Sequence, residues 1–261
     1  MRIVRFTPGP DAGLGPDPLF GILEDDATIS IISGDPIYSG IQKTAAKIEL
    51  NKVRLLAPII PRSKVVCVGK NYADHAAEMG GVVPEEPIIF LKPNTSVIGP
   101  NDTIVWPEMS ERIDHEAELA IVIGRICKDV PVERVNDVIF GYTIANDVTA
   151  RDLQKKDGQW TRAKGFDTFC PIGPWVDTDF IPGTQKITAT IAGEVKQSAH
   201  ISDMIFDVPT IVNFVSRVMT LLPGDIILTG TPAGIGPMVA GEKATMAIEG
   251  LGELTNKVSA K

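Results

Sequence analysis

The sequence predicts a β-rich α+β fold in which a rolled or sandwiched sheet carries a few short helices. Many short apolar segments are of strand length, helical patterns are few, and strands and helices do not alternate as in a doubly wound parallel sheet. Hydrophobic residues make up 44% of the 261 positions, which is enough to bury a large core. We therefore expect one main domain, preceded by a smaller unit.

The first 57 residues predict a small β-rich N-terminal domain. Apolar segments at Arg2–Phe6 and Gly21–Leu23 alternate with Gly, Pro and Asp residues, which is typical of strands joined by turns. Pro58 and Pro61 then disfavour both a helix and a central strand. We place the domain boundary there, with domains at 1–57 and 58–261.

Short strands and short helices follow one another in the second domain. The segments that predict strands are Lys64–Val68, Pro87–Leu91, Leu119–Ile123, Ile139–Ala145, Ile187–Ile191, Val195–Gln197, Ile226–Thr229 and Ala244–Glu249. The segments that predict helices are Asn71–Met79, 131–137, Thr149–Lys156 and Pro209–Leu222. The turn at Ala192-Gly193 predicts that two of the strands form a hairpin.

The charge balance excludes one class of partner. The chain has 25 basic and 33 acidic residues, and 25 − 33 gives a net charge of −8. The basic residues do not cluster, so the footprint of a nucleic-acid-binding protein is missing. An acidic protein repels an anionic substrate at long range, so local cations or a bound metal ion would have to attract one.

The cysteines and the N-terminal residues predict the cellular compartment of the protein. Cys67, Cys127 and Cys170 are widely spaced and odd in number, which predicts reduced thiols. The first residues lack the apolar region of a signal peptide, and no apolar run approaches the ~18 residues of a membrane span. We expect a cytoplasmic protein with no membrane partner.

A cluster of carboxylates is the first candidate site. If Glu116 and Glu118 lie on one strand, they share a face with Cα atoms ~6.5–7 Å apart, so both can reach one cation. His115 then points to the other face and is left out, while Asp147 follows a second strand and can supply a third carboxylate. Oxygen ligands select Mg²⁺, Mn²⁺ or Ca²⁺ rather than zinc. The alternative is an exposed acidic strand edge, against which the attached apolar run LAIVIG argues.

Two further pairs are spaced to share a helix face. His75 and Glu78 are three residues apart, so the carboxylate can orient the imidazole and suit it to act as a general base. Arg151 and Gln154 have the same spacing and could bind a substrate carboxylate and carbonyl. Lys164 lies in a Gly-flanked apolar segment and could stabilise an enolate. For all five, the alternative is an ordinary solvated surface.

A glycine-rich segment, TGTPAGIGP at 229–237, follows a predicted strand. It lacks the G-K-[ST] of a Walker A loop, and Pro237 stands where a dinucleotide-binding motif would begin a helix. Its amides and Thr231 could still hold a small carboxylate. The alternative is a plain glycine turn.

Taken together, these segments resemble the fumarylacetoacetate hydrolase family in its short prokaryotic form. The matching motifs are VGKNYADHAAE (68–78), FLKP (90–93), DHEAELAIVIG (114–124), GYTIANDVTARDLQ (141–154), AKGFDTFCPIGP (163–174) and GDIILTGTPAGIG (224–236). The resemblance implies a fumarylacetoacetase C-terminal-like β-roll with short helices. Residues 1–55 resemble the small N-terminal domain that many short members carry.

The resemblance also implies roles for particular residues and a homodimeric assembly. It implies one Mg²⁺ or Mn²⁺ ion per chain, held by Glu116, Glu118 and Asp147. It implies a base dyad on a lid, His75 with Glu78, and a catalytic lysine, Lys164. The implied substrate-binding positions are Lys92, Arg151, Gln154, Gly230 and Thr231, with Arg151 and Gln154 reaching the substrate's distal group.

The family does not fix the reaction. We expect C–C cleavage of a small 2-oxo acid through a metal-stabilised enolate, with oxaloacetate decarboxylation ahead because Arg151 and Gln154 suit a second carboxylate. One alternative is hydrolysis of an acylpyruvate such as fumarylpyruvate or acetylpyruvate, in which His75 activates water. Others are isomerisation of 2-hydroxyhepta-2,4-diene-1,7-dioate and, outside catalysis, an oxoacid- or metal-binding protein.

Overall fold

The computed structural model describes residues 1–260, in which strands dominate. The strands are β1 Arg2–Pro8, β2 Leu19–Leu23, β3 Thr28–Ile32, β4 Lys43–Glu49, β5 Val53–Leu56, β6 Val65–Gly69, β7 Ile88–Lys92, β8 Val97–Ile98, β9 Thr103–Ile104, β10 Ile113–His115, β11 Ala117–Ile123, β12 Ile139–Asn146, β13 Thr149–Ala150, β14 Cys170–Asp177, β15 Lys186–Ile191, β16 Glu194–His200, β17 Ile226–Leu228, β18 Gly236–Pro237, β19 Lys243–Ile248 and β20 Gly252–Val258. The predicted β-rich α+β class is confirmed.

The helices are short and lie between the strands. They are α1 Pro36–Ser39, α2 Ala73–Glu78, α3 Arg151–Asp157, α4 Thr161–Lys164 and α5 Val208–Val218, with 3₁₀ turns at Pro10–Ala12, Leu50–Lys52, Asn94–Ser96, Val132–Asp137 and Ile201–Asp203. Asp207 caps α5 by accepting a hydrogen bond from the Thr210 amide, and Pro209 lies in the first turn. Among residues 1–260, no helix is both long and apolar enough to cross a membrane.

One large sheet runs through the molecule in the order β4-β3-β2-β1-β14-β12-β11-β17-β6-β7. The strands of the first 56 residues therefore extend the sheet of the rest, because β1 pairs with β14. All seven residues of β11 are buried. Burial on both faces explains why this strand is apolar from Leu119 to Ile123 rather than alternating.

A second sheet, β16-β15-β19-β20-β9, covers one face of β11. Leu119, Ile121 and Ile123 belong to the core shared with this sheet and with α5, whereas Ala120 and Val122 belong to the core on the other face. The two cores hold β11 in place at its start, where the candidate site begins.

Three predicted elements differ in the structure. The helix at 131–137 is a 3₁₀ turn, Val132–Asp137, which Pro131 precedes. Thr149–Ala150 pairs with β10, so α3 begins only at Arg151. The helix predicted to reach Leu222 ends at Val218, because Leu221 pairs with Cys127 instead. In the last two cases local preference yields to a tertiary contact. The domain boundary at 57/58 stays a prediction.

Candidate active site

The site begins at the break between strands β10 and β11, where the strand is interrupted for one residue. Glu116 lies at this break, and its amide donates to Asn146 Oδ1 at 2.9 Å while its carbonyl accepts from the Asp147 amide at 2.9 Å. Glu118 is the second residue of β11. The assumption that both glutamates lie on one unbroken strand was therefore wrong for Glu116, because its backbone bonds to the end of β12 rather than continuing the ladder.

Three carboxylates nevertheless converge. Glu116, Glu118 and Asp147 can each place an oxygen within 4.8 Å of the others. Their exposed fractions are 4%, 1% and 1%, so water screens little of their repulsion. The convergence follows from the sheet, since β11 and β12 are antiparallel neighbours with Ala117 opposite Asn146.

Cationic side chains hold two of the three carboxylates. The Lys164 ammonium donates to Glu116 Oε2 at 2.7 Å and to Asp147 Oδ2 at 2.6 Å. Arg151 donates to the other Glu116 oxygen, and Lys92 donates to Asp147 Oδ1 at 2.6 Å. Burial opposes the charged form of Glu116, but Lys164 and Arg151 outweigh it and lower the pKa of that carboxyl.

Glu118 lies in a different environment. It accepts a hydrogen bond from the Gly230 amide at 2.7 Å. Burial first, and then the negative charges of Asp147 and Glu116, raise the pKa of Glu118 well above its usual value. Such a carboxyl group requires a proton or a cation beside it. The three carboxylates offer only oxygen donors, and Glu118 still needs a positive charge beside it. Both features fit a hard divalent ion such as Mg²⁺ or Mn²⁺.

The cluster forms the buried part of a cavity. His75, Arg151, Gln154, Lys164 and Thr231 also line the cavity. A partly exposed side is formed by Lys70, Met79, Phe90 and Trp160. The rings of Phe90 and Trp160 meet edge to face with centroids 5.2 Å apart, so this side is apolar except for the lysine.

His75 and Glu78 are brought together on α2. His75 Nδ1 lies 3.3 Å from Glu78 Oε2. The Glu78 carboxylate also accepts from the Gly234 amide at 3.2 Å, which links the helix to the glycine-rich loop. Because a carboxylate accepts and does not donate, the contact requires the hydrogen on Nδ1, so in the neutral form of the imidazole Nε2 carries the lone pair. His75 is only 6% exposed.

Arg151 and Gln154 line the cavity, but they also bind each other. Arg151 Nη1 donates to Gln154 Oε1 at 2.6 Å, and Arg151 Nε donates to Asp114 at 2.9 Å. With the bond to Glu116, all three guanidinium nitrogens are engaged. Thr231 also lines the cavity, and its hydroxyl donates to the Ala117 carbonyl at 2.9 Å.

Two predicted substrate contacts lie behind the cavity wall. The Lys92 side chain is fully buried and binds Asp147 and the Val148 carbonyl. The Gly230 amide binds Glu118. Neither residue is among those within 1–260 that line the cavity. In this structure both therefore hold candidate metal ligands in place.

Three supporting residues were not predicted. Asp114 binds Arg151, Asn146 binds the Glu116 amide, and Gln197 binds both the Ala117 amide and Thr231. Asp114 and Asn146 adjoin the acidic motifs, so their position in the sequence was a usable signal. Gln197 is 80 residues from Ala117 and carries no local signal.

His115, which we had left out of the site, is buried away from it. Its side chain is not among the residues within 1–260 that line the cavity, and it is 1% exposed. Burial lowers the pKa of this imidazole and keeps it neutral.

Comparisons with known proteins agree with this architecture. The family profile described as "Fumarylacetoacetate (FAA) hydrolase C-terminal" matches residues 64–259, and the profile "Rv2993c-like, N-terminal" matches residues 1–58. Protein Rv2993c of Mycobacterium tuberculosis is 60% identical over 231 residues, which cover 87% of this chain and 85% of that protein. "Oxaloacetate tautomerase Fahd2a, mitochondrial" of Rattus norvegicus is 43% identical over 219 residues, covering 80% of this chain and 70% of the relative.

Solved structures share the whole fold. The 5-carboxymethyl-2-hydroxymuconate delta-isomerase from Mycobacterium smegmatis superposes with a TM-score of 0.91 at 48% identity, over 100% of both chains. The maleylpyruvate hydrolase from Sphingobium sp. SYK-6, in complex with manganese(II) and pyruvate, superposes with a TM-score of 0.81 at 31% identity. That match covers 100% of this chain and 99% of the hydrolase.

Proposed function

We propose a reaction for this chain, which belongs to the fumarylacetoacetate hydrolase family. The proposed reaction is the keto–enol tautomerisation of oxaloacetate. The observation that carries the proposal is that one cavity is lined by both His75, which Glu78 contacts, and the buried ammonium of Lys164. Tautomerisation uses each of these groups, because a proton must leave C3 while negative charge develops on O2.

His75 moves the proton. Its Nε2 takes the C3 proton, the C–H electron pair forms the C2=C3 bond, and the carbonyl electrons move to O2. The imidazolium then returns the proton to O2, which completes the enol. Glu78 keeps Nδ1–H in place and stabilises the imidazolium during the transfer.

Lys164 stabilises the enolate. Its ammonium is buried, and although burial disfavours a charged amine, Asp147 and Glu116 raise its pKa and keep it positive. When held by Glu116, Glu118 and Asp147, a divalent metal ion would act as a Lewis acid on the 2-oxo group. The cavity excludes bulk water from these charges, which strengthens their interaction with the substrate.

The relatives support a proton transfer. The rat relative is named an oxaloacetate tautomerase and the M. smegmatis protein a delta-isomerase, and both reactions move a proton between atoms of a substrate.

Decarboxylation of oxaloacetate, the reaction expected from the sequence, is the second candidate. Its specific support is Lys164, because breaking C3–C4 produces the same kind of enolate charge. No C–H proton is removed when carbon dioxide leaves, so the His75–Glu78 dyad would contribute little to that step. The dyad therefore favours tautomerisation.

The test follows two signals from one sample of enol-oxaloacetate with Mn²⁺-loaded protein. Loss of enol absorbance reports tautomerisation, and a coupled lactate dehydrogenase assay reports pyruvate. We expect enol loss well above the rate with metal alone, with pyruvate lagging behind it. His75→Ala should abolish the acceleration, while the exposed control His200→Ala should keep it.

The possible results separate the candidates. Pyruvate release that keeps pace with enol loss would establish decarboxylation instead. Cleavage of acetylpyruvate with no effect on oxaloacetate would establish an acylpyruvate hydrolase. No acceleration of any of these reactions would contradict the proposed function.

The cofactor and the assembly belong to the same proposal. We expect one Mg²⁺ or Mn²⁺ ion per chain and a homodimer. Metal analysis of the purified protein measures the first, and light scattering after size-exclusion chromatography measures the second. A stoichiometry well below one ion per chain after loading would contradict the metal site.

A further inference from the structure

Lys70 is a cavity-lining cation that has no partner. It directly follows β6, it is half-buried, and it lines the cavity. Within residues 1–260, its ammonium makes no hydrogen bond and has no carboxylate within ion-pair distance. Its backbone φ is 57°, a left-handed value that is uncommon for lysine. An unpaired charge on a strained residue of a cavity wall indicates a ligand contact.

The other two cationic side chains of the cavity, Arg151 and Lys164, already bind protein groups. Arg151 uses its three nitrogens on Asp114, Gln154 and Glu116. Lys164 is shared between Glu116 and Asp147. A second carboxylate of the substrate would have to compete with these buried bonds, whereas Lys70 has its full hydrogen-bonding capacity available.

The ammonium of Lys70 lies beside the segment that follows α2. Its Nζ lies against Gly81, where a Cβ atom would come within 2.7 Å of it. Gly81 follows α2, the helix that carries His75, and its amide binds the Ala76 carbonyl of that helix. A glycine at 81 therefore leaves room for the lysine beside the helix.

The neighbouring wall is apolar and restricts the chain. A Cβ atom at Gly69 would lie 3.0 Å from the Trp160 ring, so the indole packs directly on the backbone before Lys70. Together with Met79 and Phe90, the indole lowers the local dielectric, which strengthens an ion pair formed there. The chain as a whole carries a charge of −8, so a dianionic substrate needs such a local cation.

We infer that Lys70 binds the distal carboxylate of the substrate and selects dicarboxylic over monocarboxylic 2-oxo acids. The inference rests on the proposed function and specifies its substrate class. It assigns the distal contact, which the sequence suggested for Arg151 and Gln154, to a residue on the partly exposed side of the cavity. Arg151 and Gln154 then serve the buried network around Glu116.

The test compares two ligands that differ only at C4. Oxaloacetate carries a carboxylate there, and 2-oxobutyrate carries a methyl group. For Lys70→Met we expect the KM for oxaloacetate to rise by about tenfold to a hundredfold, the range for loss of a charged hydrogen bond. The kcat and the inhibition constant of 2-oxobutyrate should stay within about twofold of wild type.

Three further variants make the result specific. Lys70→Arg should restore most of the oxaloacetate affinity because it keeps the charge. Lys257→Met removes the same charge from an exposed strand position and should change neither ligand's affinity. Gln154→Leu tests the rival site: a selective rise in the KM for oxaloacetate in this variant, without one in Lys70→Met, would overturn the inference. Equal weakening of both ligands in Lys70→Met would overturn it too.

Calorimetry separates this inference from the proposed function. The dissociation constants of oxaloacetate and 2-oxobutyrate are measured on Mn²⁺-loaded wild type and Lys70→Met. If wild type does not turn over oxaloacetate, the proposed function fails. Selective loss of oxaloacetate binding in Lys70→Met would still support the lysine's role, and unchanged binding would refute it.

Discussion

Two regions of the central sheet differ in character. In the apolar end, which is formed by strands β1–β3, Val4, Phe6 and Ile29 are completely buried in an apolar cluster. In the charged end, which is the start of the interior strand β11, the carboxylates Glu116 and Glu118 are buried among apolar residues. Apolar burial stabilises a fold, whereas each buried charge costs several kcal/mol unless it is paired. The difference teaches that the apolar end supports the sheet and the charged end serves binding.

We expect the largest effect when a candidate metal ligand in the charged end is replaced. Asp147→Asn removes one of three converging charges, so we expect kcat/KM to fall by about a thousandfold or more, the order of a lost Lewis-acid contribution. Metal content after dialysis should fall in parallel, while circular dichroism stays that of a folded protein. Full activity with normal metal content would mean that the ion binds elsewhere.

A second substitution tests whether the buried ion pairs of the charged end stabilise the fold. Lys92→Met leaves Asp147 Oδ1 without its ammonium partner in a buried position, so we expect a loss of about 3–5 kcal/mol of unfolding free energy. Urea denaturation measures it, with the exposed Lys257→Met as the matched control. Saturating Mn²⁺ should recover part of the loss. Stability equal to that of the control would show that the pair contributes nothing.

The pH dependence of the metal-free protein sharpens the contrast. The pKa of Glu118 is raised in the folded state, first by burial, so the folded state holds this proton more tightly than the unfolded state does. The contribution of Glu118 to stability is therefore greatest below the usual value of 4.5 and falls as the pH rises above it. The slope should approach about 1.4 kcal/mol per pH unit for one proton.

Glu118→Gln isolates this contribution from those of the neighbouring groups. Between about pH 5 and pH 7 the variant should lose less stability than wild type when both are measured with a chelator. Mn²⁺ should flatten the wild-type profile. Parallel profiles of the two proteins would show that Glu118 titrates normally.

The smallest expected effect belongs to the apolar end. Ile29→Val removes one buried methylene from the N-terminal cluster, so we expect a loss of about 0.5–1.5 kcal/mol. The kcat/KM for oxaloacetate should not change, because the residue is remote from the cavity lining. A change in kcat/KM of the folded variant would show that the apolar end and the charged end are coupled.

Local spacing predicted a good part of the candidate site. The separation of His75 and Glu78 is a helical repeat, and the structure places their side chains 3.3 Å apart. The acidic motif and the strand before Asp147 predicted three converging carboxylates, and their oxygens lie within 4.8 Å of one another. For Glu116 the predicted reason was incomplete, since the strand breaks there and Asn146 holds its amide.

The sequence by itself determined the β-rich class and the placement of His75 and Glu78 on one helix face, because those properties depend on neighbours a few positions away. Only the tertiary structure decided which charges pair. Lys92 binds Asp147 across 55 positions and Gln197 binds Ala117 across 80, whereas the side chain of Lys70 has no hydrogen-bond or ion-pair partner among residues 1–260. The physical reason is that these partners lie on or beside strands far apart in the chain, and the strand order and sheet packing that bring them together are long-range properties that no local pattern records.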